Sequence, residues 1–485
     1  SGVLLHARPE GVFCLQATKI SHCGPILADG CQLSLKSLRY TCTTAPGFCG
    51  QPLAANYPSG YRVVSMHVAG SVGFVGYGIP VWRELVEMIL EECAPSKQFA
   101  DGVRVLDEIS PPVYLPTKTK LKPTGLVPPT RSPAVLGSSA IQPSFAKYMH
   151  QYKSTVPPPS VRDKLLCLYR AVSAGRPCLT YAEAIFGDGR GLAALDHQSS
   201  AGYPYCLQNK RRQDLYEDPD FQQKVFDTSE GQADVTFATF FKDELRPREK
   251  VAMGKTRLID AAPLHFTVAF RMAYGHFMSE MHECAGTAIH CMVGCDPEKH
   301  WTDLYWEMVD LAGEDRFIDL DYSGFDASVS KDMLAWVLNL LADATQVSFP
   351  ALFQYLINPR RIFKKWIYET DGGLPSGCPC TSILDSMINT SIVLTAIYKA
   401  EGTLSSYQNK VKFVTYGDDV LLAVAPGCNL TPMHLIDTAR EFGMLMTSAR
   451  KDAEPRFMHV SEVSFLKRGF FVDLIRPCLV HPVIS

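Results

Sequence analysis

The sequence lacks any apolar run approaching the ~18 residues that a membrane-crossing helix needs, so a helical span is excluded. It also lacks a dominant charge. The net charge is −3 over 485 residues, which rules out the chain-wide basic field of simple nucleic-acid binders. Any RNA contact must therefore come from locally clustered cations. Its 16 cysteines include no CxxC pair, and the first residues carry no signal-peptide pattern. That favours free thiols in a reducing compartment over a disulfide framework. The tightest pair, Cys378-Pro-Cys380, has no second pair to complete a tetrahedral zinc site. Internal repeats are absent as well. What remains is the composition of an ordinary globular protein, 46% hydrophobic and 20% charged. The chain is long enough for two or three domains with sizeable cores.

Residues 1–90 read as short strands broken by Gly, Pro and Asn, an all-β texture. Residues 80–93 then suit a helix, with Val81, Leu85, Met88 and Ile89 on one face. A Pro-rich stretch between 95 and 133 marks an inter-domain connection running into an extended, surface-hugging segment. From about residue 160 the texture is mixed α/β, with long helical patterns at 331–345 and 383–400.

Two acidic clusters stand out, Asp321-Tyr-Ser-Gly-Phe-Asp326 and Tyr416-Gly-Asp-Asp419. Each follows an apolar strand. The second continues as Val420-Leu-Leu-Ala-Val424, so Gly417-Asp418-Asp419 reads as the tip of a β-hairpin between buried strands. Carboxylates crowded at such a tip repel one another unless a cation neutralises them. Their oxygens suit Mg²⁺, which takes one or two protein carboxylates plus substrate phosphates. Paired ions of this kind serve in-line displacement at phosphorus. A lone Gly-Asp-Asp is more often a solvated turn; its company decides the matter. The segment 242–257 carries six cations, Lys242, Arg246, Arg248, Lys250, Lys255 and Arg257, and 209–212 adds Lys210, Arg211 and Arg212.

Lys242-Asp-Glu-Leu-Arg246, Gly373-Leu-Pro-Ser-Gly377 and Phe465-Leu-Lys-Arg468 surround these acids in an order and spacing that resemble the motifs of picornavirus-like RNA-dependent RNA polymerases. The resemblance runs from about residue 99 to the end. It implies a right-hand polymerase at 99–485, of α+β class: fingers at about 99–275 and 327–375, palm at about 276–326 and 376–472, and the start of a thumb at 473–485. It implies Asp321 and Asp418 as metal ligands, assisted by Asp419, with Mg²⁺ as cofactor and Mn²⁺ as a substitute. Asp326, Ser376 and Gly377 are implied to recognise the ribose. At position 385 the family usually carries Asn, whereas this chain has Asp385, which cannot donate a hydrogen bond unless protonated. Lys242, Lys250 and Arg257 are implied to receive the triphosphate, and Lys451 to protonate the leaving pyrophosphate. Ser200, Gly202, Tyr203 and Lys255 are implied to guide template RNA, and Lys467 and Arg468 to grip the primer. The implied partners are RNA, NTPs, a genome-linked primer protein and other viral replication proteins, at replication complexes in the host cytoplasm.

The N-terminal part has a separate signature. Thr44-Ala-Pro-Gly-Phe-Cys49-Gly50 lets a turn expose sulfur while successive backbone N–H groups converge on one point. With Val63-Val-Ser-Met-His67 it resembles the second β-barrel of chymotrypsin-like cysteine proteases. That likeness covers residues 1–98 and makes Cys49 the nucleophile, with Thr44 and His67 lining a pocket for a substrate glutamine. The catalytic base and its orienting group come from the first barrel in that family, and neither His6 nor His22 lies in a segment that supplies one. The expectation is an incomplete, inactive protease, with Gln98-Phe99 as the candidate junction. Two alternatives stay open for the chain: a reverse transcriptase, which shares Tyr-x-Asp-Asp but lacks a counterpart of Asp326, and a non-catalytic RNA-binding precursor fragment.

Overall fold

The protein is described by a computed structural model covering residues 2–81, 102–448 and 454–484, apart from 9–10, 24–25, 29–30, 35–36, 44–47, 58–59, 72–74, 123–129, 151, 174–176 and 209. The helix read at 80–93 and the Gln98-Phe99 junction fall outside the described residues, as do Thr44 and Lys451. The chain forms two compact units, Ser1–Lys97 and Gln98–Ser485.

The first unit is a closed six-stranded barrel of β1 (Gly2–Arg8), β2 (Gly11–Cys23), β3 (Ser37–Thr41), β4 (Pro52–Tyr57), β5 (Gly60–Ser71) and β6 (Val75–Pro80). The strand order is β1-β2-β3-β6-β5-β4, and β1 pairs back with β4 at Leu4↔Leu53 to close it. Alternation along each strand sends Leu4, Ala17, Tyr40 and Leu53 inward, where with Phe48 they fill the core. The all-β reading of this part and the barrel expected from the resemblance agree with this.

The second unit is α+β. Its five-stranded sheet comprises β7 (Val103–Glu108), β8 (Thr236–Phe241), β9 (Leu258–Ala261), β11 (Arg360–Phe363) and β12 (Trp366–Thr370), in the order β9-β8-β11-β12-β7. A four-stranded antiparallel sheet holds β10 (Phe317–Tyr322), β13 (Val411–Tyr416), β14 (Asp419–Val424) and β15 (Met446–Ser448), in the order β13-β14-β10-β15. Strand β7 lies inside the Pro-rich stretch read as connection only. Its alternating Val103 and Val105 let it pair with β12 at the sheet edge.

The helices Pro297–Ala312 and Thr381–Glu401 pack on the four-stranded sheet, and the helix Leu264–Glu283 packs against other helices of the core. Helix α1 (Leu264–Glu283) and helix α3 (Thr381–Glu401) are apolar on nearly every face, and Ile383 to Ile397 are all buried. A helix of that kind belongs inside a large core. Helix α2 (Lys331–Thr345) starts where expected, with the Ser330 hydroxyl accepting from the Met333 N–H as an N-cap. Near the end, β16 (Arg468–Val472) and β17 (Val480–Ile484) form an antiparallel pair. The indole N–H of Trp301 donates to the Gly469 carbonyl, tying that pair to the helix Pro297–Ala312.

Candidate functional site

Strand β10 runs Phe317-Ile-Asp-Leu-Asp-Tyr322 and buries every residue but Asp321, which is half-exposed near its end. Its neighbour β14 begins at Asp419, joined to β13 by the two-residue turn Gly417-Asp418. Gly417 has φ +61, a left-handed value that a glycine meets without strain. The pairing Leu320↔Val420 sets the strand end and the turn side by side, so acids almost a hundred residues apart in sequence share one recess. Asp418 is solvent-accessible, yet loss of surrounding water, then Asp326 and Asp321, raise its carboxyl above the ordinary range. Asp419 is pushed up to about 6, first by burial and then by Asp418, Asp321 and Asp319. A set of acids that destabilise one another's charge is what a cation would relieve. Among the described residues, no group of three His, Cys, Asp or Glu side chains is gathered tightly enough to hold a metal alone.

The turn is held from below by α3. The Asn389 amide donates to the carbonyls of Gly417 at 3.0 Å and Asp418 at 3.3 Å, while its own oxygen accepts from the Tyr322 hydroxyl at 3.2 Å. The Gly417 N–H donates to Ser386 Oγ at 2.8 Å. One buried amide thus joins both acidic clusters. Neither Asn389 nor Ser386 was singled out from the sequence. Their signal was the placement of polar residues on an otherwise apolar helix, where each buried polar atom needs a partner.

On the ribose side, Asp326 lies at the start of the short helix Phe325–Ser328, and the carboxyl of Asp385 hydrogen-bonds to it. Burial first, then the Asp326 charge, hold Asp385 well above the usual carboxylate range, so Asp385 carries the proton and donates. Asp326 is raised too, chiefly by burial, against the opposing pull of Lys147. The Lys147 ammonium sits 4.8 Å over the Tyr148 ring and faces Asp260 and Asp326. The loop 373–377 is fixed beside this group. The Leu374 N–H donates to the Asp326 carbonyl at 2.9 Å, and Gly377 bridges to Ala261. Under the loop, fully buried Arg361 donates to Asp260 at 3.0 Å, Thr370 at 2.7 Å and the Gly373 carbonyl at 2.8 Å. Lys147, Asp260 and Arg361 also escaped the sequence reading, because nothing local to 147 or 361 marks a buried cation.

The expected phosphate cations are gathered by one acid. Glu244 receives a bidentate fork from Arg257 and also faces Arg246 at 3.5 Å and Lys242 at 3.8 Å. Burial opposes ionisation of Glu244, but the Arg257 hydrogen bond and the three positive charges win, and its carboxyl stays below the ordinary range. Arg257 is held in its charged form first by Glu244 and also feels Asp418 and Asp326, which places it toward the acidic recess. Lys250 lies in the adjacent helix Arg248–Ala252, and exposed Lys255 follows it, its N–H donating to the Lys250 carbonyl. The run 210–212 is occupied within the protein: Lys210 with Asp218, Arg211 with Asp214, and Arg212 with the carbonyls of Ser200 and Asp196. Arg212 therefore props the Ser200–Tyr203 segment. There Gly202 has φ +74, and a Cβ on it would lie 2.8 Å from the Ala262 carbonyl. Leu466 and Lys467, with φ +53 and +59, make the tight turn between Phe465 and Arg468, and exposed Lys467 faces Asp419.

A model of the viral RNA-dependent RNA polymerase family matches residues 167–479. The chain belongs to that family. It is 32% identical over 475 residues to the genome polyprotein of Human rhinovirus 16, covering 95% of this chain and 21% of that protein. It is also 32% identical over 471 residues to the polyprotein of Human enterovirus 70. Among solved structures, the Sicinivirus 3Dpol RNA dependent RNA polymerase superposes with a TM-score of 0.68 at 32% identity, over 79% of this chain and 85% of that one. The chain spans about a fifth of the length of the curated relatives it matches. No helix among the described residues is long and apolar enough to cross a membrane.

The barrel unit carries its own cluster. Cys49 is exposed in the turn Phe48–Gln51, with Gly50 at φ +86, and its thiol donates to the Val68 carbonyl at 3.3 Å. His67 is buried, its Nδ1 2.6 Å from the Tyr40 hydroxyl. Burial depresses its pKa, so the ring is neutral. Side-chain positions are described for exposed His22 but not for His6.

Proposed function

We propose that the polymerase unit performs template-directed RNA synthesis from NTPs by metal-assisted nucleotidyl transfer. The observation that carries this reading is the convergence of Asp321, Asp418 and Asp419 in one recess, where burial and the neighbouring acids raise the proton affinity of Asp418 and Asp419. Asp321 and Asp418 would hold Mg²⁺, for which Mn²⁺ is a substitute, and Asp419 tunes the pair. When bound, Mg²⁺ neutralises phosphate charge during displacement of pyrophosphate by the primer 3′-OH. Lys242, Lys250 and Arg257 orient the triphosphate, and Asp326 with Asp385 and the Ser376–Gly377 loop reads the 2′-OH. Polar readout discriminates well because an analogue without the hydroxyl leaves buried groups unpaired. Ser200, Gly202, Tyr203 and Lys255 face the template, Lys467 and Arg468 the primer, and Lys451 supplies the proton to pyrophosphate. A genome-linked protein would prime the reaction, with other viral replication proteins, at complexes in the host cytoplasm. The domain limits given above for fingers, palm and thumb belong to the same reading.

The test is UTP incorporation on poly(A) primed with oligo(U) in Mg²⁺, comparing wild type with Asp418→Ala. Incorporation that vanishes in the variant is the expected result; equal incorporation in both proteins sinks it. RNA binding with no incorporation by either protein supports the non-catalytic alternative.

For the barrel unit the proposal is that it does not cleave peptides. A thiol nucleophile needs an imidazole or equivalent base within hydrogen-bond reach. Among the described residues, the partner of Cys49 is a carbonyl, and His67 is engaged with Tyr40. Cleavage of a glutamine peptide that is lost in Cys49→Ala overturns this.

A further inference from the structure

Cys378 and Cys380 stand at the junction between the loop 373–377 and α3. Both are reduced and buried, at 7% and 4% exposure. They hydrogen-bond to each other, and Cys378 also accepts from the Cys380 N–H. Its sulfur lies 3.1 Å from Thr381 Oγ1. Cys380 is the N-cap of a 21-residue helix, whose positive end favours a nearby thiolate. One turn further in, Asp385 Oδ1 is buried without a hydrogen-bond partner and faces both sulfurs electrostatically. Burial opposes ionisation of Cys378, but the hydrogen bonds from Cys380 and Thr381 draw its thiol below the ordinary range, so two thiols hydrogen-bonded to each other offer an attacking and a resolving cysteine. With no third ligand gathered among the described residues, a metal does not account for them.

We propose that Cys378 and Cys380 form a dithiol modification site, closed to a disulfide by a small uncharged peroxide, and that closure arrests the Ser376–Gly377 loop. The Cys378 thiolate attacks one oxygen of hydrogen peroxide, the O–O bond breaks, and the released hydroxide takes a proton to leave as water. Cys380 sulfur then attacks the resulting sulfenic sulfur. The S–O bond breaks, and the hydroxyl leaves as a second water with the Cys380 proton. Two thiols are oxidised by two electrons and one peroxide is reduced. Burial selects a small neutral oxidant over a charged peptide disulfide. A disulfide brings the sulfurs to about 2.05 Å, far inside hydrogen-bond contact, and so pulls on the backbone from 378 to 380. The loop has no slack on its other side: a Cβ at Gly377 would lie 2.4 Å from the Asp260 carbonyl.

This inference rests on the polymerase reading for its effect on synthesis, but not for the bond itself. The experiment treats the full chain with hydrogen peroxide, alkylates the remaining thiols and maps disulfides by peptide mass. In parallel, incorporation and amide hydrogen exchange over 373–381 are followed. The expected result is a Cys378–Cys380 link, altered exchange in the loop, and a fall in incorporation of about tenfold or more that dithiothreitol reverses. Cys380→Ser, whose hydroxyl is also a good N-cap, should keep its incorporation after peroxide. Oxidation confined to other cysteines, or a link that changes neither exchange nor incorporation, overturns the proposal. A chain inactive even when reduced refutes the polymerase reading, while the link and the exchange still decide the dithiol.

Discussion

Asn389 holds the Gly417-Asp418 turn by hydrogen bonds that no other side chain duplicates in the described residues. Asn389→Ala leaves the Gly417 and Asp418 carbonyls and the Tyr322 hydroxyl without that partner, so the turn loses its register with β10. Incorporation should fall about 100-fold, because sub-ångström misplacement of a catalytic group costs that much; the fall should appear in kcat rather than in the KM for NTP. Asp385 gives a prediction with a sign. In the unfolded chain its carboxyl loses its proton near pH 4. In the folded chain burial and Asp326 keep the proton to a much higher pH. The folded state therefore binds more protons in that window, and its stability is fully present below about pH 4 and declines as pH rises toward the folded value. Asp418 and Asp419 push the same way, so the diagnostic quantity is a difference: thermal unfolding of wild type should lose more stability between pH 5 and 8.5 than Asp385→Asn. The same protonation makes ribose over deoxyribose selection weaken with rising pH in wild type and not in Asp385→Asn. The acids of the site were legible in the sequence, because Asp321 and Asp418 stand at strand ends beside turn residues and Asp326 follows Asp321 across Gly324. Asn389 and Arg361 were not, since their meaning depends on what the fold puts opposite them.

Strands and helices show the same division. The hairpin 411–424 and the helices at 331–345 and 381–401 follow from hydrophobic period alone. Strand β7 was hidden by the proline-rich stretch around it, because its place in the sheet is specified by β12 and not by its own composition. The pairing of Arg361 on β11 with Asp260 on β9 also escapes any local pattern, yet it ties the five-stranded sheet to the Gly373 loop. Replacing only Arg361 takes from buried Asp260 its directly bonded cation, leaving Lys147 as the remaining positive charge nearby, and Arg361→Met should cost about 3–5 kcal/mol in denaturant unfolding. Arg361→Met combined with Asp260→Asn should recover part of that loss.

At the scale of the molecule, the barrel and the polymerase unit each have a core of their own. Leu53 is fully buried in the barrel, and Leu53→Ala should destabilise that unit by about 2–5 kcal/mol. In calorimetry one unfolding transition should move down and the other should stay in place; a shift of both would contradict independent folding. The near-neutral total charge has its counterpart in how Glu244 is used. Lys242, Arg246 and Arg257 already share a tethered anion, so on the proposed reading an arriving nucleotide would act as a competitor that exchanges one carboxylate for its phosphates. Few loosely held buffer anions are then shed on binding. The KM for NTP should change little when chloride is swapped for glutamate at constant ionic strength, and Glu244→Gln should make it sensitive to that swap. On that reading the resting protein keeps a rehearsal copy of a nucleotide's charge.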